Sequence, residues 1–260
     1  MKLLKLSLCA AVATVSLGFG TAALADGGPT FAFNAGVTND YVFRGVSQNN
    51  GKAAASAGVD FTDNIFYAGT WVSNVDFSHN VYFSGGSLFG NSVGDPTTYE
   101  NDLYLGVRPV LGGVTFDLGY QYYNYINDKQ FKDKFSEFYI KASKPIGAGS
   151  IGAAVNYSPN YFQNVGIATY YELNGSYTFK NKVTLGGAID YQALTKSKAG
   201  LSGYAGWNIG VTYPVTDHLS VDARYWGTDG TAKNDFQLVD TGGLKSAAGD
   251  RLAVTAKLTF

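Results

Sequence analysis

The last ten residues of the chain, RLAVTAKLTF, alternate between two kinds of side chain. Even-numbered positions from Leu252 to Phe260 are apolar, and odd-numbered positions from Arg251 to Thr259 are mostly polar. A period of two places successive side chains on opposite faces, which predicts a β-strand with one apolar face. About ten residues is the length of a tilted strand that crosses a bilayer, although a strand of a soluble sandwich has the same pattern.

The same period recurs in eleven further segments, most of them bounded by turn-forming residues. The predicted strands before the last one cover residues 31–44, 53–61, 65–74, 99–108, 114–125, 135–143, 151–157, 168–179, 183–192, 204–213 and 219–226. The parity of the alternation in 65–74 is ambiguous. Twelve strands are an even number, as in bacterial single-chain transmembrane barrels.

The predicted connections alternate in length along the chain. Short ones cover 62–64, 108–113, 144–149, 180–182 and 214–218, and long ones cover about 75–98, 126–134, 158–167, 193–203 and 227–249. Short turns at one end and long loops at the other are typical of a transmembrane barrel. We therefore predict an all-β fold, a single transmembrane antiparallel β-barrel of about 12 strands. Its expected aromatic girdles contain Tyr41, Phe43, Phe61, Phe179, Tyr213 and Phe260.

Residues 1–25 predict a cleaved Sec-type signal peptide, which leaves 26–260 as the barrel. Lys2 and Lys5 flank the start of an apolar stretch too short for a bilayer span, and Ala23-Leu24-Ala25 fits a cleavage site. Cys9 lies within this segment, so no thiol or disulfide is expected in the mature chain. An exported, aromatic, Gly-rich β protein predicts the outer membrane of a Gram-negative bacterium.

Charge and composition argue against several other classes. Removing Lys2 and Lys5 changes the formal net charge from −1 to −3, which argues against a nucleic-acid partner. The 33 Gly, 19 Tyr and 17 Phe favour strands joined by tight turns. His79 and His218 fall at opposite ends of the predicted barrel, so they are not expected to share a metal. We expect no cofactor, no metal and no catalytic residue, and hence no enzyme.

The polar faces of the strands predict which side chains line the interior. Arg44, Arg224 and Arg251 fall near the extracellular ends of strands that become neighbours on barrel closure, which predicts a basic wall. Glu100, Asp102 and Glu137 fall at a similar height on the opposite side of the barrel. A basic wall that faces an acidic wall would produce a transverse electric field across the pore. The predicted pore-lining residues are Arg44, Glu100, Asp102, Glu137, Asp222, Arg224, Arg251 and Lys257. The alternative is that charges pair locally, Asp40 with Arg44 and Asp222 with Arg224, and fill a narrow lumen.

Six segments resemble those of the TorF family of porins: YVFRGVSQ (41–48), GVDF (58–61), FYAGTWVSNVDF (66–77), YENDLYLGV (99–107), FDLGYQYYNY (116–125) and YSPNYF (157–162). The RGxSQ and WxSNVDF elements are the more specific ones. The resemblance covers most of the mature chain and implies an outer-membrane barrel with a porin role, without a particular substrate or site residue. The chain departs from the family pattern at Tyr125-Ile126, where Tyr-Pro is expected.

These observations predict a passive diffusion channel for small hydrophilic solutes or ions, embedded in outer-membrane lipid. The alternative is a barrel with an occluded lumen and a structural or adhesive role, or, less favoured, an enzymatic one. The transported solute, the ion selectivity and the oligomeric state stay open at this point.

Overall fold

The structure is a computed structural model that describes residues 28–77, 81–82, 97–128, 132–195, 197, 201–240 and 243–260. The predicted signal peptide, residues 1–25, and His79 lie outside these ranges. In chain order the strands are β1 (Thr30–Thr38), β2 (Val42–Phe43), β3 (Val46–Ser47), β4 (Ala54–Asp63), β5 (Phe66–Asn74), β6 (Val81–Tyr82), β7 (Tyr99–Val107), β8 (Val110–Leu111), β9 (Val114–Ile126), β10 (Phe135–Ile146), β11 (Gly149–Ser158), β12 (Ile167–Thr178), β13 (Thr184–Thr195), β14 (Tyr204–Pro214), β15 (Leu219–Thr228), β16 (Gln237–Asp240), β17 (Gly243–Ser246) and β18 (Arg251–Thr259).

The helical part of the described chain is small. It consists of a 3₁₀ helix (Phe162–Asn164) and α1 (Gly230–Asp235). Among the described residues, no helix is long and apolar enough to cross a membrane. The short strands β6, β16 and β17 form a separate small sheet.

Twelve long strands form one closed antiparallel barrel, as predicted. Around the wall their order is β1, β4, β5, β7, β9, β10, β11, β12, β13, β14, β15 and β18, and β18 pairs back with β1. The short strand β8 pairs with the start of β9 within a turn. Closure gives every wall strand two hydrogen-bonded neighbours, so the barrel has no open sheet edge.

The wall separates apolar from polar side chains by strand parity. On β13, Leu185, Ile189 and Tyr191 point outward and are exposed, whereas Asp190 and Gln192 are buried on the inner face. Because this outer surface is apolar over the length of the strands, it has the chemistry of a lipid-facing wall. The interior is therefore the polar compartment of the molecule.

Strand β5, whose parity was ambiguous in the sequence, follows the same rule. Tyr67 and Ser73 are buried on the inner face, and Phe66 and Val72 are exposed on the outer face. Trp71 is therefore also an inward residue, and its ring packs against Tyr41 with centroids 5.4 Å apart.

The two ends of the barrel differ as the connection lengths predicted. Short turns occupy 64–65, 108–113, 147–148, 179–183 and 215–218, while long connections occupy 39–53, 75–98, 127–134, 159–166, 196–203 and 229–250. The chain terminus lies at the short-turn end, where the backbones of Phe33 and Phe260 exchange hydrogen bonds of 3.0 and 2.9 Å. We call the long-loop end extracellular and the short-turn end periplasmic, following the usual barrel orientation.

The first predicted strand, residues 31–44, is wrong at its extracellular end. Strand β1 stops at Thr38, and residues 39–53 form a long connection that folds inward. Within it, β2 and β3 pair as a two-residue hairpin whose tip is Arg44-Gly45. Both tip residues have positive φ, 50° and 79°, which matches the type I′ turn that suits a tight hairpin. We call residues 42–47 the inward hairpin.

Tyr41 and Phe43 do not belong to the aromatic girdle, contrary to the prediction from the sequence. Tyr41 is buried, with 8% of its surface exposed, and it donates a hydrogen bond of 3.0 Å to Glu100 on the inner wall. Phe43 packs edge-on against inward Tyr123, with centroids 5.8 Å apart. Both rings follow the inward turn of the chain and so lie away from the outer surface. By contrast, Phe179, Tyr213 and Phe260 are exposed near the periplasmic end, as expected of a girdle.

Glycines on the inner wall make room for tyrosine rings from neighbouring strands. A Cβ at Gly69 would lie 2.5 Å from the ring of Tyr104. At Gly106, a Cβ would lie 2.5 Å from the Tyr67 hydroxyl and equally close to the backbone carbonyl oxygen of Leu118. Real Cβ atoms do not tolerate such distances, so each large ring depends on the glycine beside it.

We expect Gly106→Ala to lower the free energy of unfolding by roughly 1–3 kcal/mol, since the added methyl group overpacks the inner wall against a backbone atom. Gly175→Ala is the matched control, because the nearest atom to its Cβ would be the Ser150 carbonyl oxygen at 3.4 Å. Its effect should stay within about 0.5 kcal/mol. Denaturant unfolding of both variants in liposomes measures the difference, and equal stabilities would contradict this packing.

Candidate functional site

The inward hairpin carries Arg44 across the lumen to the opposite wall. The Arg44 guanidinium donates two hydrogen bonds to the Glu137 carboxylate on β10, at 2.8 and 2.7 Å. Its Nη1 also donates to the Gln192 side-chain oxygen on β13 at 2.9 Å. Because β10 is five strands from β1 around the closed wall, this contact spans the barrel at its extracellular end.

Several side chains hold this ion pair in a fixed geometry. Arg44 lies over the Tyr170 ring, with its guanidinium carbon 4.0 Å from the centroid, a favourable cation–π arrangement. Tyr204 donates from its hydroxyl to the Arg44 carbonyl oxygen at 3.1 Å. On the acidic side, Glu137 accepts from Tyr123 at 3.2 Å and from Asn156 at 3.0 Å. Both charged side chains are almost fully buried, at 2% and 1% exposed.

The sequence did not single out the neutral members of this group. Tyr170, Gln192 and Tyr204 come from three different strands, and each is buried on the inner face. Their strand parity placed them inward, but nothing in the local sequence shows that one arginine from a distant loop would reach all three. We call Arg44 and Glu137, with the groups that contact them, the latch.

The predicted basic wall is wrong for Arg44, because that residue leaves the wall and pairs across the lumen. Arg251 instead pairs with Asp40 at 2.8 Å, so the expected Asp40–Arg44 pair does not form. Arg224 pairs with Asp222 at 3.0 Å, as the local-pairing alternative anticipated, and also donates to Asn208 at 2.7 Å. Each of these arginines is therefore neutralised beside a carboxylate.

The remaining predicted pore-lining residues lie on the inner wall. Glu100 and Asp102 stand two residues apart on β7, at 1% and 0% exposed. Lys257 is half-buried on β18 and lies where it attracts Asp60 on β4. The structure thus places all eight predicted residues inside the barrel or on the loop that enters it, although their role in transport stays a prediction.

A second polar layer lies closer to the periplasmic end. Arg108 pairs with Asp117 at 3.1 Å and stacks over the Tyr67 ring at 3.8 Å. Tyr67 donates to Asp117 at 2.5 Å, and Tyr104 donates to Asp60 at 2.7 Å. These tyrosine–carboxylate contacts line the same inner face as the glycines described above.

A cavity of about 120 Å³ lies between the inward hairpin and the other extracellular loops. Eight of its 19 lining residues are aromatic: Phe43, Phe77, Tyr125, Phe135, Tyr161, Phe162, Tyr204 and Phe236. Burial raises the pKa of the Tyr161 hydroxyl to about 12, so this group stays neutral at ordinary pH. The mouth of the barrel is thus narrowed by a polar latch with an aromatic chamber beside it.

His218 is at the periplasmic turn, as expected. Its ring stacks on the terminal Phe260 with centroids 5.0 Å apart, and its Nδ1 lies 2.8 Å from the Thr259 carbonyl oxygen. Within the described ranges, no group of three or more His, Cys, Asp or Glu side chains is arranged to hold a metal ion.

Comparisons with known proteins identify a family, and those with solved structures support the fold. A family model described as "Bacterial protein of unknown function (Gcw_chp)" matches residues 22–260. The solved NanC porin has a TM-score of 0.53 at 8% identity, covering 89% of this chain and 99% of that chain. The KdgM porin in complex with disordered oligogalacturonate has a TM-score of 0.52 at 9% identity, covering 88% and 98%. No curated protein matches the sequence. At such low identity, these similarities establish an outer-membrane barrel fold and nothing finer.

Proposed function

This chain belongs to the Gcw_chp family of bacterial proteins, and we propose that it is a passive outer-membrane diffusion channel for small hydrophilic solutes or ions. The proposal includes export by the predicted signal peptide to the outer membrane of a Gram-negative cell. The sequence resemblance to TorF-family porins supports the same role. In this proposal the inward hairpin narrows the channel at its extracellular mouth.

The observation that carries the proposal is the polar interior of a closed barrel. Ion pairs such as Arg108–Asp117 and Arg224–Asp222 line the inner wall, while the outer wall is apolar. A barrel needs no charged interior merely to fold, because buried ion pairs are seldom more stable than apolar packing. Charged side chains are expected along a polar path between two aqueous compartments, because they attract and orient hydrophilic solutes.

The second candidate is a barrel with a permanently closed lumen and a structural or adhesive role. The specific observation in its favour is the latch, which fills the extracellular end with buried, hydrogen-bonded side chains. An enzymatic role is not part of our proposal. The latch residues form an ion pair and cation–π contacts, which is an arrangement suited to holding a loop.

Planar-bilayer recording of the refolded mature protein separates the two candidates. We expect discrete current steps in 1 M KCl, because ions can follow the charged inner wall once the protein spans the bilayer. Liposome swelling with a series of neutral sugars then gives the size limit. A correctly folded barrel that carries no current under any voltage would support the closed-lumen candidate and sink the channel proposal.

A further inference from the structure

The charges on the inner wall and the inward loop do not balance. Among the described residues, the inward carboxylates are Asp40, Asp60, Glu100, Asp102, Asp117, Glu137, Glu172, Asp190 and Asp222. The inward basic side chains are Arg44, Arg108, Lys141, Arg224, Arg251 and Lys257. Nine acidic groups thus face six basic ones, so the lumen holds three more carboxyl groups than basic side chains.

This excess is concentrated at Glu100 and Asp102. Both side chains are buried, and neither forms an ion pair within the described part of the chain. Glu100 accepts a hydrogen bond from Tyr41 at 3.0 Å, and Asp102 accepts one from Gln121 at 3.2 Å. The Asp102 Oδ1 atom is buried without a hydrogen-bond partner. Glu100 also lies within reach of the Tyr125 hydroxyl. Two adjacent buried carboxylates without an ion pair are still poorly compensated for the loss of water.

Asp190, on β13, is another buried inward carboxylate with an oxygen atom that accepts no hydrogen bond. Its Oδ1 atom is buried without a hydrogen-bond partner, and its side chain is 8% exposed. It lies over Gly206 on the next strand, where a Cβ would come within 2.5 Å of that oxygen. The glycine therefore leaves space for an inward carboxylate that forms no ion pair within the described part of the chain.

We propose that the lumen is selective for cations and that Glu100 and Asp102 form its main cation-binding site. This inference rests on the proposed channel function and assigns its substrate class: monovalent metal ions and small solutes that carry an ammonium group. A cation at the carboxylate pair supplies the missing opposite charge and accepts the unpaired Asp102 oxygen as a ligand. The site lies beneath Tyr41, which donates a hydrogen bond to Glu100. It is therefore directly on the inner side of the connection 39–53 that folds into the lumen.

Reversal potentials across a KCl gradient test this inference. At about 0.1 M salt, where charges act over roughly 10 Å, we expect the wild-type channel to pass K⁺ in preference to Cl⁻. The Glu100→Gln/Asp102→Asn double variant should lower the permeability ratio at least about twofold, because it removes fixed negative charge from the path. Asp63→Asn is the matched control, since Asp63 is exposed at a periplasmic turn, and it should leave the ratio unchanged.

The outcomes separate the two proposals. A wild-type channel that prefers anions, or a double variant with an unchanged ratio, overturns the cation site while leaving the channel standing. The absence of any current overturns both. If the double variant fails to fold, Asp190→Asn provides the second test, because it also removes one unpaired inward carboxylate, and an unchanged ratio there counts against a cation-selective lumen.

Discussion

Replacing Arg44 by methionine should open the extracellular mouth and raise the single-channel conductance severalfold. The substitution removes the guanidinium that joins the inward hairpin to Glu137 and Gln192. Without that contact, the inward hairpin is held on the far wall only by neutral contacts, namely its packing and the hydrogen bond from Tyr204 to the carbonyl oxygen of residue 44, so it can leave the lumen. Planar-bilayer recording of the refolded variant measures the change, and a folded variant with wild-type conductance would contradict the latch.

The same substitution should also destabilise the barrel. Glu137 is 1% exposed, and removing its cation leaves a buried charge that keeps only the donors Tyr123 and Asn156. Breaking a buried pair in this way costs roughly 3–5 kcal/mol of unfolding free energy. Replacing both partners, Arg44→Met/Glu137→Met, should restore much of the stability while leaving the conductance high, because no charge is then stranded.

Lys52 supplies the control for this experiment. Lys52 lies on the same long connection as Arg44 and pairs at 2.7 Å with Asp76, which lies on the next long connection, but the Lys52 side chain is 63% exposed. An exposed pair contributes about 0–1 kcal/mol, so Lys52→Met should change neither stability nor conductance by much. A large effect of Lys52→Met would mean that the whole loop, and not the latch, controls the opening.

The barrel could be predicted from the sequence because the alternation within each strand assigns its side chains to an inner and an outer face without information from the rest of the chain. A period of two assigns residues such as Ile189 and Asp190 to opposite sides without any knowledge of their neighbours. The Asp222–Arg224 pair was accessible for the same reason, since residues two apart share a face. Closure then follows from strand number and from the alternation of short and long connections.

The latch could not be predicted, because its contacts lie far apart in the sequence. Tyr41 and Phe43 continue the outward parity of β1, so alternation alone extends that strand through Arg44. The usual two-residue hairpin carries Asn-Gly or Asp-Gly, and an arginine with positive φ at the tip gives no such signal. The partners Glu137 and Gln192 are fixed only by where the loop crosses the closed barrel.

Ile189→Arg should lower the free energy of unfolding in a lipid bilayer by roughly 2–4 kcal/mol, the cost of an arginine near the bilayer midplane. Ile189 lies at the middle of β13, is 62% exposed and stands between outward Leu173 and Trp207 on the two neighbouring strands. A guanidinium there would face hydrocarbon without a partner. Guanidinium chloride titration in liposomes measures the loss.

Val215→Arg is the comparison that makes this prediction specific to membrane depth. Val215 is also apolar and 50% exposed, but it lies in a periplasmic turn. Near the interface, the same substitution costs about 0–1 kcal/mol, because the side chain reaches water and headgroups. If both variants lost the same stability, the middle of the outer wall would not lie in hydrocarbon. A loss confined to Ile189→Arg means that the apolar face of the alternating strands is the surface in contact with lipid.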